Sequence, residues 1–375
     1  MTDFVVIGGG MAGVSAAAHL APHGKVTLIE AESSLAYHTT GRSAALFVVN
    51  YGGHVTRPLA AASAGFFADP PEGATDAPLL TDRGLLWIAD ETRMDALGAI
   101  AAEPQPAGYE TVLVDAATAL EMVPRLRPDR VAGGVVESQA RDIDVAGLHQ
   151  AFVRIARRHG SEIITSSPVT SIRRDGSGWQ VIARGNTFGA DVVVNAAGAW
   201  GDTVAALAGV RPIGLEPRRR TAFMVPGSSD FADWPFVIDV DHLFYFKPDG
   251  VQILCSLAEE EPDEPGDPRP RMEDVALAIE RINAVTDLDI RTVNSQWTGL
   301  RTFAPDGELV IGEDPEQPGF YWLVGLGGIG IATSPAYGSL LASLVTDTGL
   351  APELREAGVE PKLLSPARFR ETVAG

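Results

Sequence analysis

The chain has 375 residues and one cysteine, and its 49 Asp and Glu against 29 Lys and Arg give a formal net charge of −20 at pH 7. That charge argues against nucleic acid and anionic membrane surfaces as partners, and the lone Cys255 excludes internal disulfides, iron–sulfur clusters and thiolate zinc sites. The length exceeds a usual single core, so two domains are expected. In chain order, "DFVVIG" is a short apolar run rich in β-branched residues and predicts a strand. "MAGVSAAAHLAPHG" after it has helical composition with a glycine at its end. Between them Gly8, Gly10 and Gly13 fit G-x-G-x-x-G, and "KVTLIEAE" predicts a second strand tipped by Glu30, about 20 residues beyond the turn. Bare backbone at a helix N-terminus binds pyrophosphate, and a carboxylate at that spacing accepts hydrogen bonds from a ribose hydroxyl. Gly8, Gly10, Met11, Ala12, Gly13 and Glu30 are therefore candidate dinucleotide-binding residues, the competing reading being an ordinary tight strand-to-helix turn. At this point the dinucleotide is either a nicotinamide or a flavin.

Further on, "DVAGLHQAFVRIARRHG" places Val145, Leu148, Phe152 and Ile155 on one helical stripe, with Asp144 as N-cap and Gly160 as the stop. A strand, a hairpin around Asp175 to Gly178 and the apolar strand "DVVVNAAG" follow. Residues 79–138 and 204–301 are richer in proline, arginine and isolated strands, and are expected to form an inserted α+β substrate domain. Residues 1–78, 139–203 and 302–375 are expected to form a discontinuous doubly wound, Rossmann-like α/β domain. The acidic, proline-rich "AEEEPDEPGDPRPRMED" reads as a solvated connector, with a mobile lid as the alternative. Cys255 sits in the strand-like "VQILCSLAE" and reads as core filler. The first strand starts too early to leave room for a signal peptide, and no apolar run approaches about eighteen residues. A cytoplasmic protein with no membrane segment is the expectation.

Near the C-terminal end, "FYWLVGLGGIGIATSPAYGSLLASLV" again runs strand, glycine loop, helix, with Gly325, Gly327 and Gly330 at the fingerprint spacing. No second strand tipped by an acid follows, so a nicotinamide module is not completed. The loop instead suits a flat ring, with the helix N-terminus aimed at negative charge that develops on a reduced flavin. One complete dinucleotide module without a nicotinamide module points to FAD. Because Cys255 lies outside the flavin motifs, the cofactor is expected to be held non-covalently. No metal ligands are assigned.

These motifs, with "YHTTGRSAA", "RDIDVAGLHQ", "VVVNAAGAWGD", "GVRPIGLEPRRRTAF", "FYFKPDG", "WTGLRTFAPDGELVIG" and "GLGGIGIATS", resemble the D-amino-acid oxidase and glycine oxidase superfamily of FAD enzymes. Within it the likeness is greatest to the bacterial D-arginine dehydrogenase branch, and it runs nearly end to end. The resemblance implies that the loop holding Thr40, Gly41, Arg42, Ser43 and Ala44 lies along the flavin and its pyrophosphate. It implies cofactor roles for Val169, whose backbone meets the adenine, and for Ala197, Gly198, Gly327, Gly330, Ile331 and Thr333. It also implies that Arg301 and Arg220 bind the substrate carboxylate, that Tyr245 and Tyr51 line the same pocket, and that the Gly328 carbonyl lies near the substrate amine. Chemistry agrees on the arginines, since hydride transfer from Cα to flavin N5 needs a carboxylate held still, and a guanidinium fork binds it bidentately.

Two departures bear on substrate. Leu46 stands where the D-arginine branch has a histidine, and Leu85 stands where it has the glutamate that pairs with the substrate guanidinium. Burying that guanidinium without a counter-charge costs about 3–5 kcal/mol, roughly two to four decades of selectivity. The expected activity is therefore that of an FAD-dependent D-amino-acid dehydrogenase favouring apolar or aromatic side chains, yielding an imino acid that hydrolyses to a 2-keto acid and ammonia. A quinone or carrier is its expected electron acceptor. The alternatives are an oxidase of N-alkyl glycines or a 2-hydroxy-acid dehydrogenase on the same scaffold, and a non-catalytic FAD subunit of an electron-transfer complex.

Overall fold

The computed structural model describes residues 2–106 and 108–370. The first strand, β1 (Thr2–Ile7), lies inside a six-stranded sheet, parallel to β2 (Gly24–Ile29) on one side and to Val192–Asn195 on the other. Glu162–Ile164 extends the sheet beyond β2, while Phe320–Val324 and then the antiparallel Val310–Glu313 extend it the other way. A parallel strand covered on both faces reads as a continuous apolar run, and "FVVI" is buried throughout.

One face of this sheet carries helices. Helix α1 (Met11–Leu20) is buried along almost its whole length and packs between Val145–Arg158 and Ser334–Thr346. Its four alanines let neighbouring helices approach closely. Asp144 caps the helix at 145–158 as expected, accepting from Gly147 N at 2.8 Å, and Phe152 of its stripe is fully buried. That ring contributes about 1.5–3 kcal/mol. The opposite face is covered by the antiparallel sheet 169–190 and by helix Gly201–Leu207, with Trp179 and Trp322 in the core between.

A second, eight-stranded and mainly antiparallel sheet draws its strands from 85–137 and 216–303. Two of its strands, Glu216–Pro226 and Ser295–Phe303, pair in long antiparallel register. One face of this sheet holds a core with Phe223, Phe244, Phe246 and Cys255, and burial pushes the Cys255 thiol far above its ordinary range. The other face turns toward the glycine turns of the first sheet. No helix among the described residues is long and apolar enough to cross a membrane.

Candidate active site

The dinucleotide turn is built by close backbone packing. Gly8 has φ +112°, and a Cβ there would lie 2.4 Å from the Ala196 carbonyl oxygen; a Cβ on Gly13 would lie 1.8 Å from the Gly8 carbonyl oxygen. Gly8 makes the turn and Gly13 lets α1 sit on β1. The turn is held from behind by Gly8 N donating to Ile29 O at 2.9 Å and by His149 Nε2 against Gly9 O at 3.0 Å. The Glu30 carboxylate accepts from Gly9 N at 2.6 Å and Glu32 N at 2.8 Å.

A cavity of about 900 Å³ starts at this turn and runs to the eight-stranded sheet, a size at the upper end for small-molecule and cofactor sites. Gly8, Gly10, Met11, Ala12, Glu30 and Val169 line one end. Thr40, Arg42, Ser43, Ala44, Ala197, Gly198, Gly327, Gly330 and Ile331 line its middle, and Arg220, Arg301, Tyr51, Tyr245, Gly328, Leu46 and Leu85 line the far end. Three expected residues stand behind the wall instead. Gly13 packs helix on strand, Gly41 packs against Ala36 O, and Thr333 is buried with its hydroxyl donating to Ile329 O at 2.9 Å. The glycine loop faces the cavity through Ala332, and the helix behind it starts at Ser334.

The cavity fits an elongated dinucleotide. The first N–H groups of α1 have no intrahelical partners, and Thr40 Oγ1, which accepts from Met11 N at 3.0 Å, ties the middle loop to that helix end. Glu30 and Val169 lie at the same end because Ser167 N donates to Glu30 O at 2.9 Å. The residues present would hold a ribose and pyrophosphate here and a flat ring against 325–332.

Strand register assembles the far end of the cavity. In a strand, residues two apart share a face, so of the consecutive Arg218, Arg219 and Arg220 the outer two share one and the middle one faces away. Arg218 stands opposite Arg301 and Arg220 opposite Gly299, which puts Arg220 and Arg301 on the cavity side. Arg219 instead pairs with Asp263 at 2.6 Å on the far side. The same alternation brings Leu85, Trp87, Phe236, Ile238 and Tyr245 into one wall and turns Phe244 into the core behind. Tyr245 stacks on Phe236 with centroids 5.0 Å apart, and Tyr51 stands at the mouth. The strand carrying Arg301 is fastened to the 39–42 segment: Thr39 Oγ1 donates to Leu300 O at 2.7 Å, Arg42 Nη1 to Thr298 O at 2.8 Å, and Trp297 Nε1 to Arg42 O at 2.9 Å. Arg301 and the 39–44 loop thus share one rigid frame.

Several site residues had no local signature. His242 lines the cavity edge-on to Trp87 at 5.2 Å, and burial, then the Arg220 guanidinium, lowers its pKa. Burial, then Arg220, also lowers that of Arg301. Glu260 lies against both arginines, contacting Arg301 Nη2 directly and standing 3.3 Å from Arg220 Nη2. It belongs to the acidic segment expected to be a solvated connector, and this expectation is corrected. Asp263 pairs with Arg219, Asp267 with Arg42 and Glu260 with Arg301, while Arg220 donates to the carbonyls of Ala258 and Glu259 at 2.9 and 3.0 Å. The segment is a strap across the site because its acids meet arginines that strand pairing had already aligned. The acids read as solvated only while those partners were unplaced.

His149 behind the turn is buried and His19 in α1 is half-buried, and desolvation lowers both pKa values from 6.5. The unfolded chain takes up protons near that value and the folded chain does not, so stability is full above it and falls as pH falls. Each histidine contributes at most about 1.4 kcal/mol per pH unit. Tm is expected to drop between about pH 7 and about pH 5.5, with His149→Gln flattening the slope; an unchanged slope in that variant would refute the assignment.

A family model described as FAD dependent oxidoreductase, DAO, matches residues 3–344. The chain is 28% identical over 230 residues to a glycine oxidase of Geobacillus kaustophilus (strain HTA426), a match covering 60% of this chain and 59% of that protein. It is 26% identical over 360 residues to the mitochondrial sarcosine dehydrogenase of Homo sapiens, covering 91% of this chain and 39% of that protein. The chain therefore matches less than two thirds of either relative's length. In fold it is similar to the crystal structure of L-proline dehydrogenase from P. horikoshii, with a TM-score of 0.85, 22% identity and 98% of each chain covered.

Proposed function

Because the chain belongs to the DAO family of FAD-dependent oxidoreductases, we propose that it is a dehydrogenase of apolar or aromatic D-amino acids. One observation supports this reading above the rest: Arg220 and Arg301 converge beside an apolar wall in the same cavity that begins at the dinucleotide turn. FAD, when bound, supplies the hydride acceptor. The chain's own residues bind and orient. The two guanidiniums take the substrate carboxylate, and Tyr245 and Tyr51 close the pocket around it. The Gly328 carbonyl accepts from the neutral amine, and Leu46, Leu85 and Trp87 receive the side chain and exclude water. Orientation of this kind supplies much of the acceleration without a dedicated base. The D configuration, and a preference for a quinone or carrier over dioxygen, rest on the resemblance to the D-arginine dehydrogenase branch. The names of the two relatives favour a second reading, an oxidoreductase of glycine or N-alkyl glycines.

The test is anaerobic bleaching of the FAD-loaded protein with D- and L-amino acids, glycine and sarcosine, followed by air. Burying a leucine-sized or aromatic side chain gains about 1.5–3 kcal/mol over D-alanine. kcat/KM is therefore expected to rise roughly 10- to 150-fold toward D-leucine, D-methionine or D-phenylalanine. Leu85→Glu is expected to gain D-arginine and D-lysine and to lose the apolar series, since a buried carboxylate without a cation must be neutralised or solvated. Bleaching by sarcosine alone would establish the second reading, and rapid reoxidation in air would make the enzyme an oxidase.

A further inference from the structure

The guanidinium assigned to the substrate carboxylate already has a carboxylate on it. Glu260 Oε1 accepts from Arg301 Nη2, and the same oxygen stands 3.3 Å from Arg220 Nη2. The contact is one-sided: Arg301 Nε is buried and has no hydrogen-bond partner among the described residues. The Arg301 side chain is 13% exposed, that of Glu260 44%. Glu260 is thus at the open side of the site and holds half of the fork that a free carboxylate would grip with both oxygens.

Nothing else anchors the Glu260 side chain among the described residues except Arg218, whose Nη1 lies 3.3 Å from the other oxygen. The strap stays down through other bonds. Arg219 N donates to Glu261 O at 2.8 Å, Asp263 N to Pro217 O at 2.9 Å, and Arg220 to two strap carbonyls. Rotation of one side chain therefore vacates Arg301 without moving the strap, and Arg218 is placed to receive the displaced carboxylate.

We propose that Glu260 is a tethered competitor for Arg301, a binding-determining residue that every carboxylate ligand must displace. This rests on the reading of Arg301 as the carboxylate clamp. A tethered group acts at high effective concentration and lowers the affinity of any free carboxylate by a common factor. A free carboxylate displaces it because two parallel N–H···O bonds replace one. A ligand of the same shape without a carboxylate does not compete with it.

The experiment titrates the FAD-loaded protein with benzoate and with benzamide, its neutral counterpart, following the flavin absorbance. Wild type, Glu260→Gln, Glu260→Ala, Arg301→Met and Glu261→Gln, a neighbour paired outward to Arg271, are compared. The Glu260 variants are expected to bind benzoate about tenfold more tightly, the equivalent of one charge-assisted hydrogen bond. Benzamide affinity is expected to stay within about twofold, and Glu261→Gln to match wild type. Because Glu260 is half exposed, its replacement leaves no cavity to destabilise the fold. An unchanged benzoate affinity in both Glu260 variants, with loss in Arg301→Met, overturns the competitor while the clamp stands. Equal gains for benzoate and benzamide overturn it as well, because the gain then comes from space. Full benzoate affinity in Arg301→Met removes the clamp itself, and the competitor with it.

Discussion

Arg301→Met is expected to lower kcat/KM for the best D-amino acid by at least roughly 10- to 150-fold, the value of a charge-assisted carboxylate bond of about 1.5–3 kcal/mol. Looser hydride-transfer geometry adds to that loss. The effect is large because Arg301 is largely buried and mounted on the strand that Thr39, Arg42 and Trp297 tie to the 39–42 segment. Its terminal nitrogens therefore stand at a fixed place relative to the cofactor site, and methionine fills the volume but donates nothing. Arg220→Met is expected to be harmful too, with a mixed cause, since Arg220 also holds the strap carbonyls of Ala258 and Glu259. Steady-state kinetics on both variants, with FAD content measured in each, separates a lost clamp from a lost cofactor. An Arg301→Met enzyme with full flavin and kcat/KM within about threefold of wild type would remove the carboxylate clamp.

Gly13→Ala is expected to abolish FAD retention. The added Cβ would lie 1.8 Å from the Gly8 carbonyl oxygen, a backbone atom that cannot rotate aside. Relief requires α1 to lift from β1, yet α1 is clasped between two other helices and its first turn is the floor of the cofactor site. Overpacking costs typically about 1–3 kcal/mol where side chains can adjust, and here they cannot, so FAD affinity is expected to fall by roughly 100-fold or more. Gly65→Ala in the helix Arg57–Ala68 is the matched control. Nothing lies within 4 Å of its added Cβ, and the change is expected to stabilise by about 0.5–1 kcal/mol. Spectra of the purified variants and thermal melts measure both. A yellow Gly13→Ala protein with wild-type Tm would contradict the packing account of the fingerprint.

Legibility of the site followed the range of each interaction. The dinucleotide turn could be read because strand, glycines, helix and Glu30 lie within thirty residues of each other, and backbone packing at Gly8 and Gly13 admits no other residue type. Gly41 and Thr333 were assigned by likeness to a motif, and both turned out to stand behind the cavity wall: a motif marks a segment, while alternation within the segment decides which atoms face in. Resemblance likewise picked Arg220 out of three consecutive arginines, and strand alternation excludes Arg219, which points to Asp263 on the other side. The facing of Trp87 and Phe244 was open in the sequence, because it depends on which face of the eight-stranded sheet meets the first sheet. Glu260 was invisible: it reaches Arg301 across forty-one positions, through a segment whose composition resembles any solvated acidic loop.

By itself the sequence determined the glycine-rich strand-to-helix turn, the strand and helix alternation around it, the exclusion of internal disulfides by a single cysteine and the apolar residues at positions 46 and 85. Each of these rests on residue identity or on backbone geometry that neighbours in the chain impose. The tertiary structure alone decided which arginines converge, which aromatic rings wall the cavity and which acid lies against Arg301. Those outcomes depend on strand register and on how two sheets face each other, and such pairings are set by the packing of the whole chain rather than by any short stretch of it.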